Sequence, residues 1–180
     1  MAGRTGQLDG SLPLAGRRKL GAHLRSDFMK VFVGADHRGY QLKEKVIVFL
    51  KTKGYQVEDA GTFSDEIPCD YPAIAYRVAR EVATAKNSRG ILICMSGLGH
   101  AIVANKVPGA YAALCYNKEA AALAREHNNS NILVLGAKFV KRNELESIVL
   151  TWLNTKFTGG RHLRRFRQIQ ALERNLKIKV

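Results

Sequence analysis

A chain of 180 residues, 46% hydrophobic and 24% charged, is one domain's worth of ordinary globular composition, which excludes disorder throughout. No apolar run approaches the roughly 20 residues of a membrane helix, and no continuous apolar segment near the N-terminus marks a signal peptide. Three widely spaced cysteines do not make a disulfide framework, so the expectation is a soluble protein of the reducing cytoplasm, with no membrane partner.

The net charge of +14 is unevenly placed. Residues 30–155 hold sixteen Lys/Arg against twelve Asp/Glu, whereas residues 156–180 hold eight against Glu173 alone. Nucleic-acid binders usually spread basic residues over a face. The basic C-terminal segment also carries Leu163, Phe166, Ile169, Leu172 and Leu176 at helical spacing, which points to packing and away from a nucleic-acid partner.

Residues 1–28 show no convincing period and read as a flexible extension, with 29–180 as a single domain. Val31–Ala35 reads as a buried strand. Residues 40–53 read as a helix stopped by Gly54, and 55–58 as a second strand. A helix opens at Tyr71-Pro72. Strands follow at 90–94, 110–115 and 131–135, with helices near 99–106, 117–126 and 141–154 between them, and a last amphipathic helix begins near 160. Five short apolar strands alternating with helices predict an α/β, doubly wound, three-layer Rossmann-like fold with a five-stranded parallel sheet. Such sheets bind ligands beyond the carboxyl ends of their strands. Asp36-His37, Cys94 to Gly99 and Gly136-Ala137-Lys138 all fall just after strands.

The segment Cys94-Met95-Ser96-Gly97-Leu98-Gly99 runs from a strand into a glycine turn that opens a helix. Gly97 and Gly99 let backbone amides approach an anion, and a thiol near a helix N-terminus becomes a usable base. Taken alone, Cys94 is equally readable as a small buried hydrophobe. The glycines fit a dinucleotide site poorly, because no third glycine stands in place and no acid follows about 20 residues on. Asp36-His37 could accept a sugar hydroxyl or be only a loop. His127, at a helix C-terminus, is favoured there electrostatically whatever its role. Arg161 and Arg165 share a helix face, suited to a phosphate dianion or simply to water.

Together these motifs are more specific than any one of them. Asp36-His37, Asp70-Tyr71-Pro72, Cys94-x-Ser96-Gly97-x-Gly99, Ala104-Asn105-Lys106-Val107-Pro108-Gly109, Arg125-Glu126-His127-Asn128 and Gly159-Gly160-Arg161-His162-x-x-Arg165 stand in the order and spacing of one family. Over residues 30–172 the chain resembles the ribose-5-phosphate isomerase B family, which also takes in galactose-6-phosphate and allose-6-phosphate isomerases. The resemblance implies an aldose–ketose isomerase working through a cis-enediolate without metal or cofactor. It implies Cys94 as the proton-shuttling base and Ser96, His127 and Asp36 as aids to ring opening. Gly97 and Gly99 would belong to the oxyanion turn, with Tyr71 and Asn128 at the sugar and His37, Lys138, Arg161 and Arg165 at the phosphate. It further implies a homodimer, or a tetramer, whose sites are shared between subunits, with a small sugar phosphate as partner. Met95, His100 and Lys138 depart from the family pattern, leaving open a six-carbon substrate or a non-catalytic phosphosugar-binding relative.

Overall fold

In the computed structural model, residues 29–177 are described, so the extension 1–28 lies outside the described residues. The chain alternates β1 (Lys30–Ala35), α1 (Tyr40–Thr52), β2 (Gln56–Asp59), α2 (Tyr71–Thr84), β3 (Ser88–Cys94), α3 (Leu98–Ala104), β4 (Ala112–Leu114), α4 (Lys118–Glu126), β5 (Ile132–Gly136), α5 (Leu145–Asn154) and α6 (Gly160–Lys177). All five strands pair in parallel, in the order β2-β1-β3-β5-β4. This is the doubly wound three-layer arrangement expected from the alternation of strands and helices.

The central strands are continuous apolar runs because both of their faces are covered. Val31, Val33, Ile91, Ile93, Leu133 and Leu135 face one way, against Val46 and Leu50 of α1 and Ile148 and Trp152 of α5. Phe32, Leu92, Ile132 and Val134 face the other way, against Val78, Ala79 and Val82 of α2 and Ala104 of α3. Each fully buried aliphatic side chain contributes about 1.5–3 kcal/mol, so these two layers hold the sheet rigid. Lys43 is wholly buried on α1, and its ammonium meets both Asp59 carboxylate oxygens at 2.6–2.7 Å, which ties α1 to the end of β2.

Several boundaries shift from the sequence expectation, and two of the shifts have a visible cause. α5 begins at Leu145 rather than near 141, because Glu144 N–H closes a turn on the Lys141 carbonyl at 2.9 Å. β4 is short because the Tyr111 N–H is taken at 2.7 Å by the Asn131 carboxamide rather than by a strand. α6 folds back onto the body. Phe166 is buried between Tyr111 and Phe157, with ring centroids 4.7 and 5.9 Å away. Glu173 accepts from Gly109 N–H at 2.7 Å and from the Tyr111 hydroxyl at 3.2 Å. The predicted apolar stripe is only partly used, since Ile169 and Leu172 remain exposed.

Candidate functional site

The carboxyl ends of β1 and β3 meet at the point where the strand order reverses, the expected place for a ligand. Asp36 follows β1, is buried, and accepts from Gly39 N–H at 2.8 Å through its carboxylate. His37 accepts the Cys69 N–H on Nδ1 at 3.3 Å, which places the proton of the neutral ring on Nε2. Cys94 ends β3 and is 5% exposed; its Sγ accepts the Gly97 N–H at 3.1 Å.

The turn after Cys94 is built by glycine. Gly97 has φ +85°, a left-handed backbone that side chains resist, and a Cβ there would lie 2.3 Å from Leu114. A Cβ on Gly99 would strike the Tyr71 ring at 2.6 Å, so Tyr71 lies directly over the turn. Ser96 Oγ accepts Leu98 N–H at 3.3 Å, while Ala137 and Lys138 N–H bond the Cys94 and Met95 carbonyls at 2.8 and 3.0 Å. Asp36, His37, Tyr71, Cys94, Ser96, Gly97, Gly99 and Lys138 therefore gather at one end of the sheet, with Lys138 exposed. Beside them lies a cavity of about 270 Å³, whose wall includes His37, Arg38, Lys45 and Arg142. A larger apolar groove, about 540 Å³ between α1 and α5, contains none of the predicted residues.

His100, one of the departures from the family pattern, is wholly buried, with its ring edge-on to Tyr71 at 5.8 Å. Burial pushes its pKa down to about 4, so it is neutral at physiological pH.

The remaining predicted residues lie elsewhere. α4 runs antiparallel to the strands and ends at Glu126, so His127 and Asn128 fall beside the start of β5. Cys94 pairs with Gly136 at the far end of that strand. The four steps from Ile132 to Gly136 alone span roughly 13 Å. Like the arginines of α6, His127 and Asn128 thus depart from the expectation that the predicted site residues follow strands. They join Arg165, His162, Phe166 and Ile169 around a second cavity of about 210 Å³. The His127 and His162 rings stack at 4.0 Å with an interplanar angle of 3°. Desolvation first, then the charges of His127, Arg161 and Arg165, lower the His162 pKa. Such a concentration of positive charge suits a dianion. His162 was given no role from sequence, although it lies inside the Gly-Gly-Arg-His motif that drew attention to Arg161.

The chain therefore presents two clusters of predicted residues at opposite ends of one sheet. One holds a thiol and a row of backbone N–H groups, the chemistry of a base beside an oxyanion cradle. The other holds an imidazole pair, an amide and guanidiniums, the chemistry of hydroxyl and phosphate recognition.

Comparison with known proteins gives one consistent result. A family model described as Ribose/Galactose Isomerase matches residues 31–169. "Ribose-5-phosphate isomerase B" of Escherichia coli is 40% identical over 144 residues, covering 80% of this chain and 96% of that protein. The structure of Clostridium thermocellum ribose-5-phosphate isomerase B is 46% identical with a TM-score of 0.80, covering 82% of this chain and 99% of that one. The Mycoplasma genitalium enzyme with bound ribulose-5-phosphate is 40% identical with a TM-score of 0.77, covering 81% and 97%.

Proposed function

Because this chain belongs to the ribose/galactose isomerase family, we propose that it interconverts ribose 5-phosphate and ribulose 5-phosphate. His127, with Ser96 and Asp36, carries the O1 hydroxyl proton to the ring oxygen as the bond from C1 to that oxygen breaks, so that the sugar opens to its aldehyde. Cys94, as thiolate, removes the proton from C2, and the electron pair moves toward C1 to give a cis-enediolate. The N–H groups of the Ser96–Gly99 turn hold the enediolate oxygen. The proton on O2 is relayed to O1, the Cys94 thiol returns its proton to C1, C2 becomes the ketone, and the thiolate is regenerated. General-base catalysis of this kind contributes about 10²–10⁴-fold, and one well-placed oxyanion donor adds about 3–4 kcal/mol. Tyr71 and Asn128 line the sugar. His37, Lys138, Arg161 and Arg165 hold the phosphate. Every step is a proton transfer between side chains and substrate, and the reading assigns no metal or cofactor.

The distance between the two clusters supports a site completed by a second copy. In this reading His127, Asn128, Arg161 and Arg165 of one subunit complete the Cys94 site of its partner in a homodimer. Leu98 and Ile102, one turn apart on α3, and Ile169 and Leu172 on α6 are exposed apolar side chains that such an interface would cover. Residues 29–180 act as one isomerase domain, and three free cysteines suit the cytoplasm.

The observation that carries the reading is the Gly97 N–H on Cys94 Sγ at the switch point of the sheet. The test is turnover of ribose 5-phosphate by the purified chain beside Cys94→Ala. Loss of turnover in the variant supports the reading, and full activity in the variant sinks Cys94 as the base. A parent that works only on allose 6-phosphate or galactose 6-phosphate corrects the substrate. A parent silent on every aldose phosphate, yet binding them, is a phosphosugar-binding protein.

A further inference from the structure

Within Arg125-Glu126-His127-Asn128, the arginine is the member turned inward. Arg125 is 5% exposed, and its guanidinium lies over the Trp152 ring with Cζ 6.0 Å from the centroid. Its Nε donates to the Thr155 carbonyl at 3.3 Å, and its Nη1 donates to the Asn129 carboxamide oxygen at 3.1 Å and to the Ser130 carbonyl. Burial, and then the charge of Arg89, lowers its pKa to about 10, so it is still a cation at neutral pH. Among the described residues no carboxylate pairs with it. A buried cation held only by neutral oxygens is costly, and the placement of those oxygens shows what the cost sustains.

Two of the three oxygens belong to the turn that carries His127 and Asn128. This turn is also bent by Asn129 in a left-handed conformation, φ +49°. The third belongs to Thr155, where α5 ends and the chain heads for α6. Three residues later, Thr158 donates from N–H and Oγ1 to the Glu126 carbonyl at 3.1 and 2.7 Å, just before Gly159 and Gly160 lead into Arg161 and Arg165. One guanidinium thus sets the spacing between the imidazole-and-amide turn and the helix that bears the phosphate-binding arginines. Its planar fork reaches oxygens on two segments at once, which a lysine ammonium on a flexible stem does not match.

We propose that Arg125 is a positioning residue for the isomerisation, a clamp that holds His127 and Asn128 in register with Arg161 and Arg165. The inference rests on the isomerase reading of those four residues. Arg125→Lys keeps the charge and loses the fork. A displacement of about 1 Å in such a constellation costs on the order of 10²-fold in rate, and that is the fall in kcat/KM expected for ribose 5-phosphate. One readout separates a clamp from general damage. In the NMR spectrum the ring-proton shifts of His127 and His162, set by their stacking, move, while those of His100, wholly buried against Tyr71, hold. Asn129→Gly accepts the left-handed backbone and removes one of the three bonds. It serves as a milder variant, with a fall of about 10-fold expected, should Arg125→Lys fail to fold. Parental kinetics in both variants overturn the proposal, as does a movement of the His100 shifts equal to that of His127 and His162. If the parent turns over no aldose phosphate, the isomerase reading fails by itself, and the clamp is then decided by the histidine shifts. Movement confined to His127 and His162 upholds it, and unmoved shifts overturn it.

Discussion

Replacing His100 with methionine should stabilise this protein, and more so in acid. His100 is wholly buried on α3, and neither ring nitrogen has a hydrogen-bond partner. Its pKa falls from 6.5 to about 4 through burial. Between those values the unfolded chain binds a proton at His100 that the folded chain refuses. The contribution of this site is therefore intact above pH 6.5 and is lost as pH falls toward 4. At about 1.4 kcal/mol per pH unit, the loss reaches about 2 kcal/mol at pH 5 and about 3 kcal/mol near pH 4. Methionine fills a similar volume without polar atoms, so it also removes the cost of two orphaned nitrogens, about 1–3 kcal/mol at neutral pH. Urea unfolding of parent and His100→Met, at one protein concentration and at pH 7.5 and 5.0, measures both effects. The variant should lead at pH 7.5, and its lead should widen by about 2 kcal/mol at pH 5.0. An equal lead at the two pH values would mean that His100 is not held neutral, and the reasoning from burial would be wrong.

Glu173→Ala removes the acceptor of the Gly109 N–H and the Tyr111 hydroxyl. It should loosen α6 by about 1–3 kcal/mol, seen as faster hydrogen exchange in α6 and a raised KM for ribose 5-phosphate. Arg165→Gln removes one charge-assisted contact and should lower kcat/KM by about 10- to 100-fold, mainly through KM. Steady-state kinetics check both, and an unchanged KM in Arg165→Gln would remove that residue from the phosphate site.

The sheet was legible because its strands leave no polar face to hide. Val31 to Ala35 and Ile91 to Cys94 are apolar on consecutive residues, which only a strand covered on both sides tolerates. The Cys94 end of the site was legible for a related reason, since a strand feeding a glycine turn at a switch point has few other uses. The position of His127 was less so. A helix that returns antiparallel to its strand always ends at the sheet's amino edge, yet the motif Arg-Glu-His-Asn carries no mark of that. That β5 lies inside β4 depends on packing of the whole sheet. The His127–His162 stack and the Arg125 clamp each join segments some 30 residues apart, so no local pattern announces them. His100 shows the same limit. It stands directly after Gly99 in the sequence, yet burial against Tyr71 keeps its ring neutral, which no local pattern shows.

The central claim is that one chain carries two halves of two different sites, completed by a second copy. It is tested most directly by mixing two inactive variants, Cys94→Ala and His127→Ala, after brief unfolding and refolding together. Each mixed dimer joins one intact Cys94 end to one intact His127 end. A 1:1 mixture should therefore regain about one quarter of the parental turnover of ribose 5-phosphate, as expected for random pairing in an isologous dimer. A mixture that stays as inactive as its components would contradict the account, because it would place Cys94 and His127 in the same site of the same subunit.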